Sequence, residues 1–252
     1  GERPLEHEVF ELISMREEAK QELAQQHGPI QEALREVRHK IAILSGKGGV
    51  GKTSTTINIA SILKKQGKSV GIFDADVHGP SVPKMTGLSQ RTDLHGAWQM
   101  NPVETEDGIK VMSVSLFWPG EATPVMWKGH YKARVIRQLL STVRWGAMDY
   151  LLVDLPPGTG DEPVTIMKSI PGLDGVVVVT TPQEVSVSVC SKAISSANEL
   201  GVPILGLIEN MSAFVCPHCG EEVPVLGEGR GEDLARTYKI PFLGRIPLDV
   251  QA

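Results

Sequence analysis

Residues 45–54, SGKGGVGKTS, form a glycine-rich stretch with the residue types of a phosphate-binding loop. Its glycines let the backbone turn tightly and bring N–H groups onto phosphate oxygens. These glycines are Gly46, Gly48, Gly49 and Gly51. The amine of Lys52 would reach the β- and γ-phosphates, and the hydroxyl of Thr53 would bind Mg²⁺. The stretch therefore predicts a nucleotide site, to which the motif residues Val50 and Ser54 also belong.

The segments on either side of this loop give it the context that the motif requires. An apolar run at residues 41–44 precedes it, and a helical pattern extends from Thr53 to about Gln66. The order of strand, loop and helix places the positive end of a helix against the bound anion. This context favours a functional phosphate loop over a chance glycine-rich turn.

A second lysine, Lys47, directly follows the first glycine of the loop. An ordinary phosphate cradle does not need it, and a solvated surface lysine is the simpler interpretation. The whole string nevertheless resembles the deviant Walker A group, which includes MinD, ParA and the nitrogenase iron protein. That resemblance implies that Lys47 crosses a dimer interface to the partner's nucleotide. Dimerisation would then be part of the mechanism.

Two acidic loops follow predicted strands, at the sheet edge where open α/β folds place their ligands. The first begins with Asp74 and Asp76. Carboxylates there could serve Mg²⁺ or orient a water molecule for attack on the γ-phosphorus. We expect Asp76 to orient the water, and the alternative is that both acids cap the turn.

The second acidic loop, DLPPGTGD at residues 154–161, follows an apolar run. This is the Walker B arrangement, in which the carboxylate of Asp154 holds Mg²⁺ directly or through water. The two prolines should make the loop stiff before Gly158, which could then bring a backbone N–H to the γ-phosphate. We expect this loop to act as a switch. A core strand that happens to end in aspartate is the alternative.

The rest of the chain alternates between short β-branched runs and helical patterns. Strands are predicted at residues 69–74, 150–154, 176–180, 204–208 and 242–246, a hairpin at 98–103 and 109–114, and helices at 132–143 and 184–200. The alternation predicts an α/β fold with a doubly wound, mostly parallel sheet flanked by helices. Two amphipathic helices at residues 5–37 lead into the first strand. We therefore expect an N-terminal helical segment, residues 1–40, and a P-loop ATPase domain, residues 41–252.

Composition narrows the class of protein further. The chain has 252 residues, of which 41% are hydrophobic and 22% charged, and it can bury a sizeable core. Its net charge of −5 gives no electrostatic reason to expect nucleic-acid binding. No apolar run approaches the roughly 20 residues of a membrane span, and no secretory signal opens the chain. We expect a cytoplasmic protein that binds neither nucleic acid nor membrane.

A cysteine pair in the string CPHCG, Cys216 and Cys219, has the shape of a metal knuckle. One chain offers two thiolates there, whereas a tetrahedral zinc site or a cubane cluster takes four ligands. A twofold dimer would supply the pair twice. A thioredoxin-like dithiol, a structural zinc shared by a dimer and a bridging [4Fe-4S] cluster are the three interpretations. The third cysteine, Cys190, lies in a helical pattern and is expected to be buried.

Six strings in this order resemble the Mrp/ApbC family of iron–sulfur cluster carrier ATPases. They are GKGGVGKT, DADVHGPS, DLPPGTGDE, TTPQEVS, ENMS and CPHCG, spread between residues 46 and 220. The resemblance implies an ATP-binding homodimer that carries a [4Fe-4S] cluster to apo-proteins. It also implies that Lys47 acts across the dimer, that Asp76 is the hydrolytic aspartate and that Asn210 contacts the adenine. Because relatives usually continue into a last helix, we expect part of the adenine pocket to lie beyond Ala252.

Three functions from different classes are consistent with these residues. A cluster carrier would use ATP to alter a homodimer that receives a cluster from a donor and delivers it to apo iron–sulfur proteins. A MinD- or ParA-like positioning ATPase would share the phosphate loop and the dimer, but it would not need the cysteine pair. A nucleotide-dependent scaffold would hold structural zinc at Cys216 and Cys219. The cysteine pair favours the carrier.

Overall fold

The computed structural model describes residues 28–77, 79–88, 94–95, 99–116, 129–227 and 229–248. The strands are β1 (Val37–Ser45), β2 (Val70–Asp74), β3 (Leu94–His95), β4 (Gln99–Met100), β5 (Val103–Glu104), β6 (Lys110–Ser113), β7 (Met148–Asp154), β8 (Gly175–Thr180), β9 (Ile204–Val215), β10 (Glu222–Val223) and β11 (Phe242–Leu248). The helices are α1 (28–33), α2 (Lys52–Lys65), α3 (Val82–Met85), α4 (Gly129–Thr142), α5 (Asp161–Ser169), α6 (Glu184–Glu199) and α7 (Gly231–Tyr238).

A nine-stranded sheet forms the centre of the molecule. Its strand order is β10, β9, β8, β1, β7, β2, β6, β5, with β11 paired to β9. All pairings in it are parallel except those of β5 with β6 and of β10 with β9. Because the parallel strands point the same way, β1, β2 and β7 end at one edge, where their following loops meet. The predicted doubly wound α/β fold is confirmed.

Side chains on both faces of the sheet are buried, which explains the continuous β-branched runs in the sequence. Ala42 and Leu44 of β1 pack in a cluster that includes residues of α1, α4, α5 and α6. Ile43, between them, belongs to a cluster on the opposite face with Val50 and Val177. Burying a side chain of this size contributes about 1.5–3 kcal/mol. The two packed faces hold the loops at the strand ends in fixed positions.

The predicted elements differ from the observed ones mainly at their ends. The helix before the first strand ends at residue 33 and β1 begins at Val37, four residues before the predicted start at residue 41. Most of the predicted N-terminal helical segment lies outside the described residues, so its boundary at residue 40 stays a prediction. The predicted hairpin is shorter, since β5 pairs only Val103 and Glu104 with β6.

One strand is much longer than expected. We predicted a strand at residues 204–208, whereas β9 continues to Val215 and so reaches the residue before Cys216. Polar residues in its second half, such as Glu209 and Asn210, hid this continuation in the sequence. Separately, the helices in the described part of the chain include none that is both long and apolar enough to cross a membrane.

Candidate functional site

The phosphate loop connects the end of β1 to the start of α2. Gly49 and Gly51 have φ angles of 78° and 79°, in the left-handed region that glycine adopts without strain. Gly51 is the N-cap of α2, so Lys52 and Thr53 form the first turn of that helix. The loop therefore presents backbone N–H groups and the positive end of a helix to the same point in space. This is the geometry that the sequence predicts for a phosphate site.

The loop is pressed against α6 at its first glycine. A Cβ atom on Gly46 would lie 2.7 Å from the carbonyl carbon of Val189 and 2.8 Å from the backbone nitrogen of Cys190. The thiol of Cys190 accepts the N–H of Gly46 and is hydrogen-bonded to Thr180, and burial raises its pKa to about 11. Cys190 is fully buried, as predicted. Through its bond with Gly46, Cys190 holds the phosphate loop against α6.

We expect Gly46→Ala to lower the free energy of unfolding by about 1–3 kcal/mol, because the methyl group overlaps backbone atoms that cannot rotate away. Gly48→Ala is the matched control in the same loop, since a Cβ there meets only the Pro157 side chain, at 3.9 Å. Urea unfolding of the nucleotide-free protein measures both variants. Equal stabilities of the two would contradict the close packing of the loop on α6.

Asp154, at the end of β7, is the centre of the site. Its side chain is fully buried, and its Oδ1 atom lies 2.7 Å from the amine of Lys52. The hydroxyl of Thr56 donates to Oδ1 at 2.8 Å, and the hydroxyl of Thr53 donates to Oδ2 at 2.7 Å. Three donors thus stabilise a carboxylate that burial alone would destabilise. Thr56 was not predicted from the sequence, although it lies one helical turn after Lys52.

The oxygen atoms around Thr53 suit a magnesium ion. Mg²⁺ prefers hard oxygen ligands next to substrate phosphates, and the Thr53 hydroxyl and the Asp154 carboxylate provide them at the first turn of α2. The hydroxyl of Ser81 donates to the Thr53 Oγ1 atom at 3.0 Å and brings the Asp76 loop to the same place. The donor set therefore fits the predicted ion. Ser81 had no role in the sequence prediction.

Asp74 ends β2 directly beside Asp154, with which its Cα atom is in register. Its fully buried carboxylate accepts the hydroxyl of Ser113 and the backbone N–H of Val82, both at 3.2 Å. Burial, followed by the charge of Asp154, raises the pKa of Asp74 to about 7. These contacts make Asp74 the residue that fixes the loop between β2 and α3.

Asp76 lies in that loop, two residues beyond Asp74. Its backbone N–H donates to Asp74 Oδ1 at 3.2 Å, and its own Oδ1 atom accepts the N–H of Gly79 at 3.1 Å. The second bond is the turn contact that we gave as the alternative role for this residue. Its side chain is half-buried, at the same sheet edge as the phosphate loop. Its role toward water stays a prediction.

The loop after Asp154 touches the phosphate loop through its backbone. Gly158 has a φ angle of 108° and donates its N–H to the carbonyl of Ser45 at 3.0 Å. The same N–H is the one that we expect to meet a γ-phosphate. Reaching a phosphate would require this bond to Ser45 to break, and the role of the loop as a switch stays a prediction.

Lys47 and Asn210, which were predicted to contact nucleotide, both bond to other residues of the chain. The Lys47 amine donates to Gln183 Oε1 at 2.9 Å on an exposed surface. The Asn210 side chain is buried and donates from Nδ2 to the Val50 carbonyl at 2.9 Å. Gln183 lies in the string TTPQEVS and was not assigned a contact from the sequence. The expected contacts with a partner's nucleotide and with adenine stay predictions.

The cysteine pair lies beyond the end of β9. Cys216 is half-buried and Cys219 is exposed, and both thiols are free. The backbone N–H groups of Cys219 and His218 point at the Cys216 sulfur and lower the pKa of its thiol. Gly220, with a φ angle of 74°, closes the turn by donating its N–H to the Cys216 carbonyl at 2.8 Å. This is the knuckle geometry that favours a thiolate ligand.

The knuckle is incomplete as a metal site within one chain. Among the described residues, no three histidine, cysteine, aspartate or glutamate side chains are grouped so that they could hold a metal ion. A cubane or tetrahedral site takes four ligands. A metal ion or cluster bound by Cys216 and Cys219 would therefore need further ligands from outside the described part of this chain.

Comparisons with known proteins agree on the family. Residues 36–252 match the profile of the NUBPL iron-transfer P-loop NTPases. An iron-sulfur cluster carrier protein of Methanocaldococcus jannaschii is 52% identical over 235 residues, 93% of this chain and 81% of the relative. A cytosolic Fe-S cluster assembly factor of Eremothecium gossypii is 42% identical over 225 residues, with 86% of this chain and 80% of the relative covered.

Two solved structures have folds similar to that of this chain. A nucleotide-binding protein from Archaeoglobus fulgidus in complex with ADP has a TM-score of 0.78 and 43% identity, covering 89% of this chain and 88% of its own. The MinC:MinD cell division complex of Aquifex aeolicus matches with a TM-score of 0.59 and 23% identity, covering 84% and 83% of the two chains. The second likeness shows a shared fold alone.

Proposed function

The chain belongs to the family of NUBPL iron-transfer P-loop NTPases, and we propose that it is an ATP-hydrolysing homodimer that carries a [4Fe-4S] cluster. The cluster comes from a donor protein, bridges the two subunits and passes to apo iron–sulfur proteins. The Methanocaldococcus jannaschii relative is an iron-sulfur cluster carrier protein, which supports this role. The name of the Eremothecium gossypii relative supports a place in the cytoplasm.

The observation that carries the proposal is the half-complete knuckle at Cys216 and Cys219. Two thiolates on an exposed loop, with N–H groups directed at one sulfur, suit a cluster that must enter and leave. A second copy related by a twofold axis supplies the same two residues again and closes the count of four. A resident structural metal would be expected in a more enclosed setting than this exposed turn.

The nucleotide half of the site supplies the energy for the cycle. Lys52 and the loop N–H groups bind the phosphates, and Thr53 and Asp154 hold Mg²⁺, which neutralises phosphate charge when it is bound. Asp76 orients the attacking water. Lys47 leaves Gln183 and reaches the nucleotide of the partner subunit, so that nucleotide binding and dimer geometry depend on each other.

Asp76→Ala and Asp76→Asn should both bind ATP normally and hydrolyse it about 100-fold more slowly, or worse, because neither side chain can orient water as a charged base does. The asparagine variant is the control for the turn, since its amide oxygen can still accept the N–H of Gly79. Phosphate release and nucleotide affinity are measured on both. Full turnover in Asp76→Asn would reduce the role of this residue to capping the turn.

Anaerobic reconstitution with iron and sulfide tests the carrier function. We expect a dimer with broad visible absorbance and about four irons for each pair of chains, and transfer of the cluster to an apo-protein acceptor. Parallel metal analysis of protein purified without added iron separates the alternatives. A content of about one zinc ion for each dimer, with no iron uptake, would contradict the carrier function and favour a scaffold with structural zinc.

A further inference from the structure

Strand β9 joins the two halves of the proposed mechanism. Asn210 in its middle touches the phosphate loop, and Cys216 directly follows its last residue, Val215. The strand therefore links a residue that touches the phosphate loop directly to the cysteine pair. Its backbone is irregular between these two points.

The irregularity is a bulge at residues 211–213. Asn210 is in register with Ile246 of β11, and Phe214 is in register with Leu248, so three residues of β9 lie opposite Pro247 alone. Proline has no N–H to donate to the neighbouring strand. Within the bulge, Met211 has a φ angle of 56°, a left-handed conformation that a side chain of this type rarely adopts. Such a conformation persists only where the surroundings hold it.

The part of β9 before the bulge is firmly anchored. It lies between β8 and β11, and residues 206–210 are buried. The buried carboxylate of Glu209 forms an ion pair with Arg245 of β11, with Oε1 and Nε 3.0 Å apart. Its other oxygen accepts the backbone N–H of Gly231, at the start of α7, at 2.6 Å. This half of the strand cannot move without breaking the two bonds of the buried Glu209 carboxylate.

The part after the bulge is less firmly held. The pairing of β8 with β9 ends at Glu209. Beyond the bulge, Phe214 pairs with Leu248, the last residue of β11, and β9 forms a small hairpin with the two exposed residues of β10. The backbone N–H of Cys216 donates to the carbonyl of Glu221 within this hairpin, at 2.9 Å. We call residues 214–223 the cysteine hairpin.

The residue before the bulge touches the phosphate loop, and Met211 lies beside it. Asn210 donates to the Val50 carbonyl, and a Cβ atom added to Gly51 would clash with Asn210 Nδ2 and lie 3.6 Å from the terminal methyl carbon of Met211. Val50 and Gly51 are residues whose backbone groups we place against the phosphates. A shift of this part of the loop on nucleotide binding would thus press directly on residues 210 and 211.

We infer that the bulge is a hinge through which the nucleotide state sets the position of the cysteine hairpin, with Met211 as the positioning residue. The use of this motion in cluster transfer rests on the proposed function. The motion itself involves only the nucleotide and the cysteine hairpin. The position of the Met211 side chain beside Gly51, together with the bond from Asn210 to the Val50 carbonyl, holds the hinge in one arrangement. A nucleotide that binds one arrangement better than the other shifts the hairpin between them.

Hydrogen exchange followed by mass spectrometry tests the hinge without any cluster. In the wild-type full chain, replacing ADP by a non-hydrolysable ATP analogue, both with Mg²⁺, should change amide exchange in the cysteine hairpin by about fivefold or more. Met211→Gly accepts the left-handed backbone without strain and removes the side chain that lies beside Gly51 of the phosphate loop. We expect its change to fall below about twofold, with nucleotide affinity and unfolding temperature close to wild type.

Lys239→Gly is the matched control for this substitution. Lys239, with a φ angle of 54° at the end of α7, is the one other non-glycine residue of the described chain with a positive φ angle. Its replacement makes the same backbone change away from both sites and should keep the wild-type response. A wild-type response in Met211→Gly would overturn the hinge. So would unchanged exchange in wild-type protein that is saturated with either nucleotide.

A second measurement separates the hinge from the carrier function. In reconstituted protein, the rate at which EDTA bleaches the cluster should depend on the nucleotide in wild type and in Lys239→Gly, but not in Met211→Gly. If the wild-type protein assembles no cluster, the carrier function fails while the exchange result still decides the hinge. If the cluster forms and bleaches at one rate with every nucleotide, the carrier function stands and the hinge is wrong.

Discussion

We expect Cys216→Ala to lose the whole cluster when reconstituted without oxygen, rather than part of it. A bridging cubane takes two thiolates from each chain, so one substitution removes two of four ligands from the dimer. The remaining Cys219 is exposed, whereas the lost Cys216 is the residue whose sulfur faces two backbone N–H groups. Iron content and visible absorbance should fall to below about a tenth of wild type. Transfer to an apo-protein should fall with them.

Cys190→Ala is the control for this result. It removes the third cysteine of the chain, which is buried under the phosphate loop, and leaves the pair untouched. We expect it to bind a full cluster even if its stability is lower. Retention of the cluster in Cys216→Ala, or its loss in Cys190→Ala with a folded protein, would move the cluster away from the knuckle.

The nucleotide site was largely predictable because its residues are close in sequence or end neighbouring strands. The glycine pattern specifies the loop, and apolar runs that end in Asp74 and Asp154 place two carboxylates at one sheet edge. The observed register of β2 with β7 puts these two residues side by side. The knuckle was predictable for the same reason, since Cys216 and Gly220 define its turn locally.

Contacts between distant segments could not be predicted from local patterns. The hydroxyl of Ser81 meets Thr53, and the amide of Gln183 meets Lys47, only because loops after different strands converge. The length of β9 was missed because a buried glutamate breaks its apolar run, and Arg245, which neutralises that glutamate, comes 36 residues later. The left-handed backbone of Met211 has no sequence signal, since methionine rarely adopts it.

The other large effect that we expect is the loss of nucleotide binding in Lys52→Ala. The Lys52 amine is buried and lies 2.7 Å from Asp154 Oδ1, at the point where the β- and γ-phosphates would lie. Truncating one partner of a buried charged contact costs about 2–5 kcal/mol. At about 1.4 kcal/mol for each factor of ten, ATP affinity should fall by roughly 100-fold or more. Isothermal calorimetry measures it directly.

Lys52→Ala should also lower the stability of the nucleotide-free protein. Removing the amine leaves the buried Asp154 carboxylate with the neutral hydroxyls of Thr53 and Thr56 but without the cation beside it, which should cost about 3–5 kcal/mol of stability. Adding Asp154→Asn to Lys52→Ala removes that charge and should restore part of the stability, but no binding. Lys64→Ala, on the same helix with its amine on the Gly108 carbonyl, should bind ATP normally. Wild-type ATP affinity in folded Lys52→Ala would show that the phosphates bind elsewhere, because phosphates bound at this loop would lose the attraction of the Lys52 amine.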